Sequence, residues 1–419
     1  MSAEAALQLA PAGSCRFCGA ALTESVVDLG RSPPANAYLT AEELGRPEPS
    51  FPLHAYVCGT CLLVQLQDFQ SPDELFGDYA YFSSYSDTWM KHVERYCDDM
   101  IRRFDLRAQH RVIEIASNDG YLLQFFSERG IPVMGVEPAG NVAHEAMAKG
   151  IPTIVRFFGV DTARGLVAQG HQADLLIGNN VLAHVPNLND FVGGLKIVLA
   201  ATGVLTMEFP HLLRLLAETQ FDTIYHEHFS YFSLMTVQRI FEHHHLKLFD
   251  VEELPTHGGS LRIFACHDAQ PRPVAESVAG VLAAEREAGL DRLDTYRSFG
   301  AAVRTTRRML RDFLTGAKLA RRSVVGYGAP AKGNTLLNYC GVGPDLVAYT
   351  VDRSPHKQGK FLPGTHIPIF HPDHIRETKP DFVLILPWNL RREIMEQMSF
   401  IRDWGGRFVV PIPQVRVYD

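Results

Sequence analysis

The chain of 419 residues has no apolar run long enough to span a membrane and no surplus of positive charge. Its 40 Lys and Arg stand against 47 Asp and Glu, a net charge of −7. That balance excludes broad electrostatic attraction to nucleic acid or to acidic membrane surfaces, while leaving room for local basic pockets that take phosphate. The first fourteen residues include Glu4 and lack the basic n-region of a signal peptide, so a cytoplasmic protein is expected. Cysteine is scarce and odd in number, seven in all. An extracellular disulfide framework is therefore not expected.

Hydrophobic residues make up 46% and charged residues 21%, the balance of a globular protein. The length exceeds one ordinary core, so two or three domains are expected. Four of the cysteines form two Cys-x-x-Cys knuckles, Cys15/Cys18 and Cys58/Cys61, while Cys97, Cys266 and Cys340 stand alone. Four thiolates suit tetrahedral Zn²⁺ and leave no open position for a reactive water, so the ion is read as structural. The 39 residues between the knuckles predict a zinc ribbon with an inserted strand or loop. A thioredoxin-like redox pair would need one motif and a βαβ context, which is missing here.

After this module comes Asp78-Tyr79-Ala80-Tyr81-Phe82, a loop rich in phenols that either staples two domains or reaches over a ligand. A helix is expected over Thr88 to Phe104, with Trp89, Val93, Tyr96 and Met100 on one face. From His110 strands alternate with helices: Arg111–Ala116, Val133–Pro138, Asp174–Asn180 and Gly203–Glu208 read as strands of a doubly wound parallel sheet. Ligands of such sheets bind at the carboxyl ends of the strands.

The turn after the first strand, Ser117-Asn118-Asp119-Gly120, lacks Gly-x-Gly-x-x-Gly, which disfavours a dinucleotide. Glu137 after the second strand suits two ribose hydroxyls, and a nucleoside without phosphates, the adenosine of S-adenosylmethionine (SAM), fits best. The cofactor set expected here is Glu114, Ser117, Asn118, Asp119, Gly120, Glu137, Phe157, Phe158, Asn179 and Asn180. For the two phenylalanines plain core packing is the competing reading. His184 lies beyond the fourth strand, on the substrate side.

Gly258-Gly259-Ser260 with Arg262 reads as a hinge or a place of close approach to a ligand. Arg304, Arg307, Arg308 and Arg311 read as a solvated helix face. The last hundred residues repeat the strand–helix pattern. Gly326-Tyr327-Gly328 precedes a helix start at which Lys332 can meet a pyrophosphate, and Asp352 and Lys357 follow the next strand. The third glycine of a dinucleotide motif is missing.

The densest chemistry is in Tyr225-His226-Glu227-His228-Phe229, two imidazoles, a carboxylate and a phenol within five residues. Acid–base work near neutral pH accounts for such a cluster, and structural histidines or half a metal site are the alternatives. Run extended, the segment puts His226 and His228 on one face; a turn or helix partitions them differently.

Taken together, the two knuckles, Ile113-Glu114-Ile115-Ala116-Ser117-Asn118-Asp119-Gly120, Tyr225–Phe229 and Gly326-Tyr327-Gly328-Ala329 with Ala331-Lys332 resemble the SAM-dependent sugar C-methyltransferases. These enzymes build branched deoxysugars on nucleotide-activated 4-keto sugars, and the resemblance covers nearly the whole chain. It implies a zinc-binding module over 1–74, a class I SAM-binding methyltransferase domain over 75–256 and a Rossmann-like α/β domain over 257–419. A nucleotide-diphosphate 4-keto-deoxysugar would lie between the last two, contacted by Gly258, Gly259, Ser260, Arg262, Tyr327, Lys332, Asp352 and Lys357. The resemblance makes His228 the base. Tyr225, Glu227 and His184 line the site, Tyr79 or Tyr81 contributes, and His226 is not catalytic.

A carbon beside a ketone loses a proton when a base takes it and the enolate oxygen is stabilised, and the carbanion then takes the methyl group. A non-catalytic nucleotide-sugar binder, an NAD-dependent oxidoreductase or epimerase, and an O- or N-methyltransferase are the competing readings. Which nucleotide, which sugar and whether C3 or C5 is methylated stay open. So does the oligomeric state, a monomer being compatible.

Overall fold

The computed structural model describes residues 13–69, 71, 84 and 87–419, and within them three sheets follow one another along the chain. The first is antiparallel: β1 (Glu24–Ser32), β2 (Phe51–Val57) and β3 (Val64–Leu66). Along β2 the side chains of Leu53, Ala55 and Val57 are buried, alternating with partly open His54 and Tyr56, as a one-faced strand requires. The fourth strand of this sheet, β9 (Ser230–Tyr231), comes from far downstream, pairing Val64 with Tyr231 and Gln65 with Ser230. The zinc module is thus stitched into the domain that follows it.

The middle sheet has β4 (Val112–Ile115), β5 (Val133–Val136), β6 (Thr153–Ile154), β7 (Ala173–Asn179), β8 (Leu199–Pro210), β10 (Leu246–Leu254) and β11 (Ser260–His267). Their order is β6-β5-β4-β7-β8-β11-β10, with only β11 running against its neighbours. Val112, Ile113, Ile115, Leu175, Leu176 and Ile177 are all buried, because helices cover both faces of this parallel sheet. The order reverses between β4 and β7, which opens a crevice above their carboxyl ends. This is the class I SAM methyltransferase fold.

The middle sheet continues past the boundary expected at 256/257. β11 lies between β8 and β10, paired antiparallel with both, so this sheet runs to His267. The helix Glu276–Glu287 also packs on it, its buried Glu285 accepting the N–H groups of Leu234 and Met235. The helix expected at Thr88 is observed over Asp87–Phe104, with Val93, Tyr96 and Met100 buried.

The last sheet consists of β12 (Val324–Tyr327), β13 (Thr350–Val351), β14 (Ile369–Phe370), β15 (Phe382–Ile385), β16 (Arg407–Val410) and β17 (Arg416–Tyr418). Its order is β14-β13-β12-β15-β16-β17, parallel except for β17. The strand expected from Leu346 is confined to β13, because the N–H groups of Leu346 and Val347 turn back onto the Gly343 carbonyl. The helix Leu293–Leu319 leads into this domain with Tyr296, Phe299, Val303, Leu310 and Leu314 buried. Its arginines Arg304, Arg307 and Arg308 face outward, and Arg311 donates to the carbonyls of Cys340 and Gly341.

The three units meet along one line. Asn334 donates to the Ala35 carbonyl at 2.5 Å, Thr335 to the Ile224 carbonyl at 3.2 Å, and the Trp388 indole to Asp222 at 2.7 Å. Among the described residues no helix is long and apolar enough to cross a membrane.

Candidate active site

The four knuckle cysteines bring their sulfur atoms within 4.8 Å of one another. Cys15 and Cys61 are 3.5 Å apart, as are Cys18 and Cys58. Tetrahedral Zn²⁺ with Zn–S bonds of about 2.3 Å sets sulfurs about 3.8 Å apart, so the donor set fits zinc and nothing in it is left for catalysis. Each knuckle closes through a backbone bond, Gly19 N–H to Cys15 and Leu62 N–H to Cys58, and both closing residues take positive φ. Gln65 donates to the Cys15 sulfur at 3.2 Å, a partner suited to a thiolate.

Of the expected cofactor residues, Ser117 to Gly120 follow β4, Asn179 and Asn180 close β7, and Glu137 follows β5, so these edge the crevice. Ala116, Asn118 and Gly120 all have positive φ, which coils the turn tightly. Glu137 holds that turn: one oxygen accepts the Asn118 N–H and the other the Ala139 N–H, each at 2.9 Å. Each oxygen keeps a second lone pair, so bracing the turn is compatible with accepting a ribose hydroxyl. Burial raises the pKa of Glu137, and raises that of fully buried Glu114 well above the carboxylate range.

Buried polar atoms of Ser117, Asp119 and Asn179 have no hydrogen-bond partner among the described residues, the condition of a site shaped for a polar ligand. Lys149 and Ser84 hold the other Asp119 oxygen. Ser84, which follows the zinc module in sequence, reaches the cofactor crevice. Tyr79 and Tyr81 lie outside the described residues. Asn180 and Phe157 are partly open, whereas Phe158 is packed in the core against Phe191, edge to face at 5.5 Å. Core packing is the outcome for Phe158, because its ring fills the space beside Gly194.

Neither a strand nor a helix carries the acid–base cluster. The chain turns at Tyr225, the His228 N–H bonding back to the Tyr225 carbonyl at 2.8 Å. This brings Tyr225 and His228 onto one side with ring centroids 4.0 Å apart. His226 goes the other way, its Nε2–H donating to the Pro52 carbonyl and its ring edge-on to Phe51, so it is structural.

His228 Nδ1 is 2.8 Å from the Thr223 carbonyl, which can only accept. Nδ1 therefore carries the proton, and Nε2 presents a lone pair that accepts the Tyr225 hydroxyl proton at 2.9 Å. Burial lowers the His228 pKa well below that of free imidazole, and the neighbouring His184 adds to it. His184 likewise donates Nδ1–H to the Glu227 carbonyl at 2.8 Å, and burial lowers it to about 4. Both rings are neutral at pH 7, with their centroids 4.8 Å apart.

The Glu227 carboxylate is held from the zinc module, both oxygens accepting from Asn36 Nδ2 at 2.8 and 2.9 Å. Burial pushes it up to about 7. The Tyr38 hydroxyl donates to the Ala329 carbonyl at 2.5 Å, and Lys357 donates to the same carbonyl at 2.8 Å. On the far side Lys332 lies over the Trp388 ring at 4.6 Å and donates to Asn389. Buried Asp222, raised to about 6 by desolvation, sits beside Lys332 and accepts from Trp388.

Six residues expected on the substrate side make contacts within the chain. Arg262 is in register with Glu208 on β8 and Glu252 on β10, so it closes ion pairs with both at 2.5 and 2.7 Å. Gly258 and Gly259 have positive φ, and a Cβ on either would strike Trp388 or Arg214 at 2.6 Å, so close domain packing requires them. Ser260 donates to the Thr256 carbonyl. Tyr327 is buried, its hydroxyl 3.4 Å from Gln397. Asp352 holds the Gly-rich turn through the Ala329 and Ser354 N–H groups, as Glu137 holds the turn after β4. Lys332 and Lys357 do face the junction. Asn36, Tyr38, Asp222 and Trp388 have no motif signature, and none was expected from the sequence.

Three family descriptions match the chain in succession: "Putative zinc binding domain" over residues 15–76, "Methyltransferase domain" over 89–251 and "C-methyltransferase C-terminal domain" over 255–413. The chain is 38% identical over 407 residues to C-methyltransferase NovU of Streptomyces niveus, covering 97% of each. Among solved structures, the PH0226 protein of Pyrococcus horikoshii OT3 aligns with 48% of this chain and 99% of its own, at 16% identity and a TM-score of 0.38. Magnesium protoporphyrin IX methyltransferase of Synechocystis PCC 6803 with bound SAH aligns with 42% of this chain and 83% of its own, at 14% identity and a TM-score of 0.34.

Proposed function

The chain belongs to the C-methyltransferases, SAM-dependent enzymes, and on that premise we propose that it methylates a carbon, C3, beside the ketone of a nucleotide-linked 4-keto-deoxysugar by way of an enolate. The observation that carries this reading is the neutral His228, its Nδ1–H fixed on Thr223 and its Nε2 lone pair turned to the Tyr225 hydroxyl. A base for a carbon acid needs such a ring, neutral and orientationally locked.

In this reading Nε2 of His228 takes the proton from the carbon beside the ketone. The Tyr225 hydroxyl, which occupies Nε2 without substrate, passes to the ketone oxygen and stabilises the enolate there. His184 in its neutral tautomer has no proton on Nε2, so polarising the ketone falls to Tyr225 and His184 positions the sugar. Glu227 accepts from a sugar hydroxyl, since the base is held by Thr223 instead. Lys332 and Lys357 meet the diphosphate at the junction with the C-terminal domain. SAM, bound at the turn after β4, supplies the methyl group as an electrophile.

The test is mass spectrometry of the purified enzyme in D₂O with a panel of nucleotide 4-keto-6-deoxysugars, with and without SAM. A gain of one methyl with SAM, and deuterium entering beside the ketone without it, is the expected result. Methylation with no exchange would sink the enolate step. Binding of SAM with neither event on any sugar would sink the substrate class.

A further inference from the structure

We infer that Asn36, carried by the zinc module, is a positioning residue of the methyl transfer that acts through Glu227. The inference rests on the reading of Glu227 as a site residue. One amide nitrogen spans both carboxylate oxygens at 2.8 and 2.9 Å, which fixes the plane of the carboxylate as well as its position. Asn36 is itself oriented: the Tyr38 hydroxyl lies 3.3 Å from its Oδ1 and is anchored on the Ala329 carbonyl of the C-terminal domain. Ala35, next to it, accepts from buried Asn334 of the same domain.

Asn36 therefore stands where all three units meet, and it is partly exposed, as are Tyr225, His228 and His184. The group facing Glu227 from the C-terminal domain is Lys357, and His184 sits on the Glu227 carbonyl. The Asn36 hydrogen bonds favour the charged carboxylate against the burial that disfavours it. The zinc module then contributes a group to the active centre besides closing its own knuckles.

Asn36→Ala and the isosteric Asn36→Asp test this, with zinc content and SAM affinity as controls that should not move. Carboxyl-¹³C NMR of the enzyme without substrate, with the Glu227 signal assigned through Glu227→Gln, should show its titration midpoint rising by about one unit in Asn36→Ala. An unchanged midpoint overturns the inference.

On the sugar that the wild type methylates, kcat should fall on the order of tenfold in Asn36→Ala and further in Asn36→Asp, with the KM for SAM unchanged. In a Glu227→Gln background Asn36→Ala should cost little more. A full additional loss there means that Asn36 acts elsewhere, and the inference falls. Should Glu227→Gln itself leave turnover intact, the assignment of Glu227 fails first. Impaired Glu227→Gln beside an unimpaired Asn36→Ala overturns only the role of Asn36.

Discussion

The Tyr225 hydroxyl donates to His228 Nε2 at 2.9 Å, while the other ring nitrogen of His228 is fixed on the Thr223 carbonyl. One imidazole thus has a single available lone pair, and a phenol sits on it. In the proposed enolisation the pair would supply both halves, a base and an acid, three residues apart on one turn.

His228→Ala removes the proposed base. Methyl transfer is expected to fall by about 10²- to 10⁴-fold, the range of a lost general base, with SAM affinity by calorimetry near that of the wild type. Near wild-type turnover would remove His228 from its role.

Tyr225→Phe keeps the ring and deletes the donor. The expected loss is in kcat, on the order of a hundredfold, since the phenol is proposed to act on the developing oxyanion. A rise in sugar KM at constant kcat would instead make Tyr225 a ground-state contact.

Glu227 has a folded pKa of about 7 against 4.5 for the unpaired group. Its raised value means that its contribution to stability is complete below pH 4.5 and disappears as pH rises through 7. Glu227→Gln mimics the protonated form at every pH. Its melting temperature relative to the wild type should therefore climb between about pH 4.5 and 7 and level off above that; a flat difference would show that Glu227 titrates normally.

Chelation of the zinc should cost far more than the module. Without the metal the knuckles lose their closure, and with it go the β3–β9 pairing and the Asn36 contacts that wall the site. Elemental analysis should find one zinc per chain, and its loss should abolish methylation before the middle domain loses SAM. Full activity of a metal-free enzyme would refute this coupling.

Glu137→Gln places an amide against two N–H donors, Asn118 and Ala139, of which it can satisfy only one. The turn after β4 loosens, and SAM affinity should fall about tenfold or more. Unchanged affinity would show that the turn keeps its shape without the carboxylate.

The sequence by itself determined what is local or periodic. Paired cysteines at Cys-x-x-Cys spacing have few uses in a reducing compartment, so the zinc module was legible. Apolar runs such as Val112–Ile115 and Leu175–Ile177 announced a parallel sheet, and the polar residues closing them marked its ligand edge. His228, Tyr225 and Glu227 stood out because chemistry was concentrated in a few residues.

Tertiary structure decided what depends on distant partners. Arg262 reads as a substrate contact until register places it between Glu208 and Glu252. Gly258 and Gly259 resemble ligand contacts until Trp388 and Arg214 close on them. Asn36 belongs to no pattern, yet 191 positions along the chain it meets Glu227. A hydrogen bond across three packed units leaves no periodic trace in any one of them, because only the fold makes its two ends neighbours.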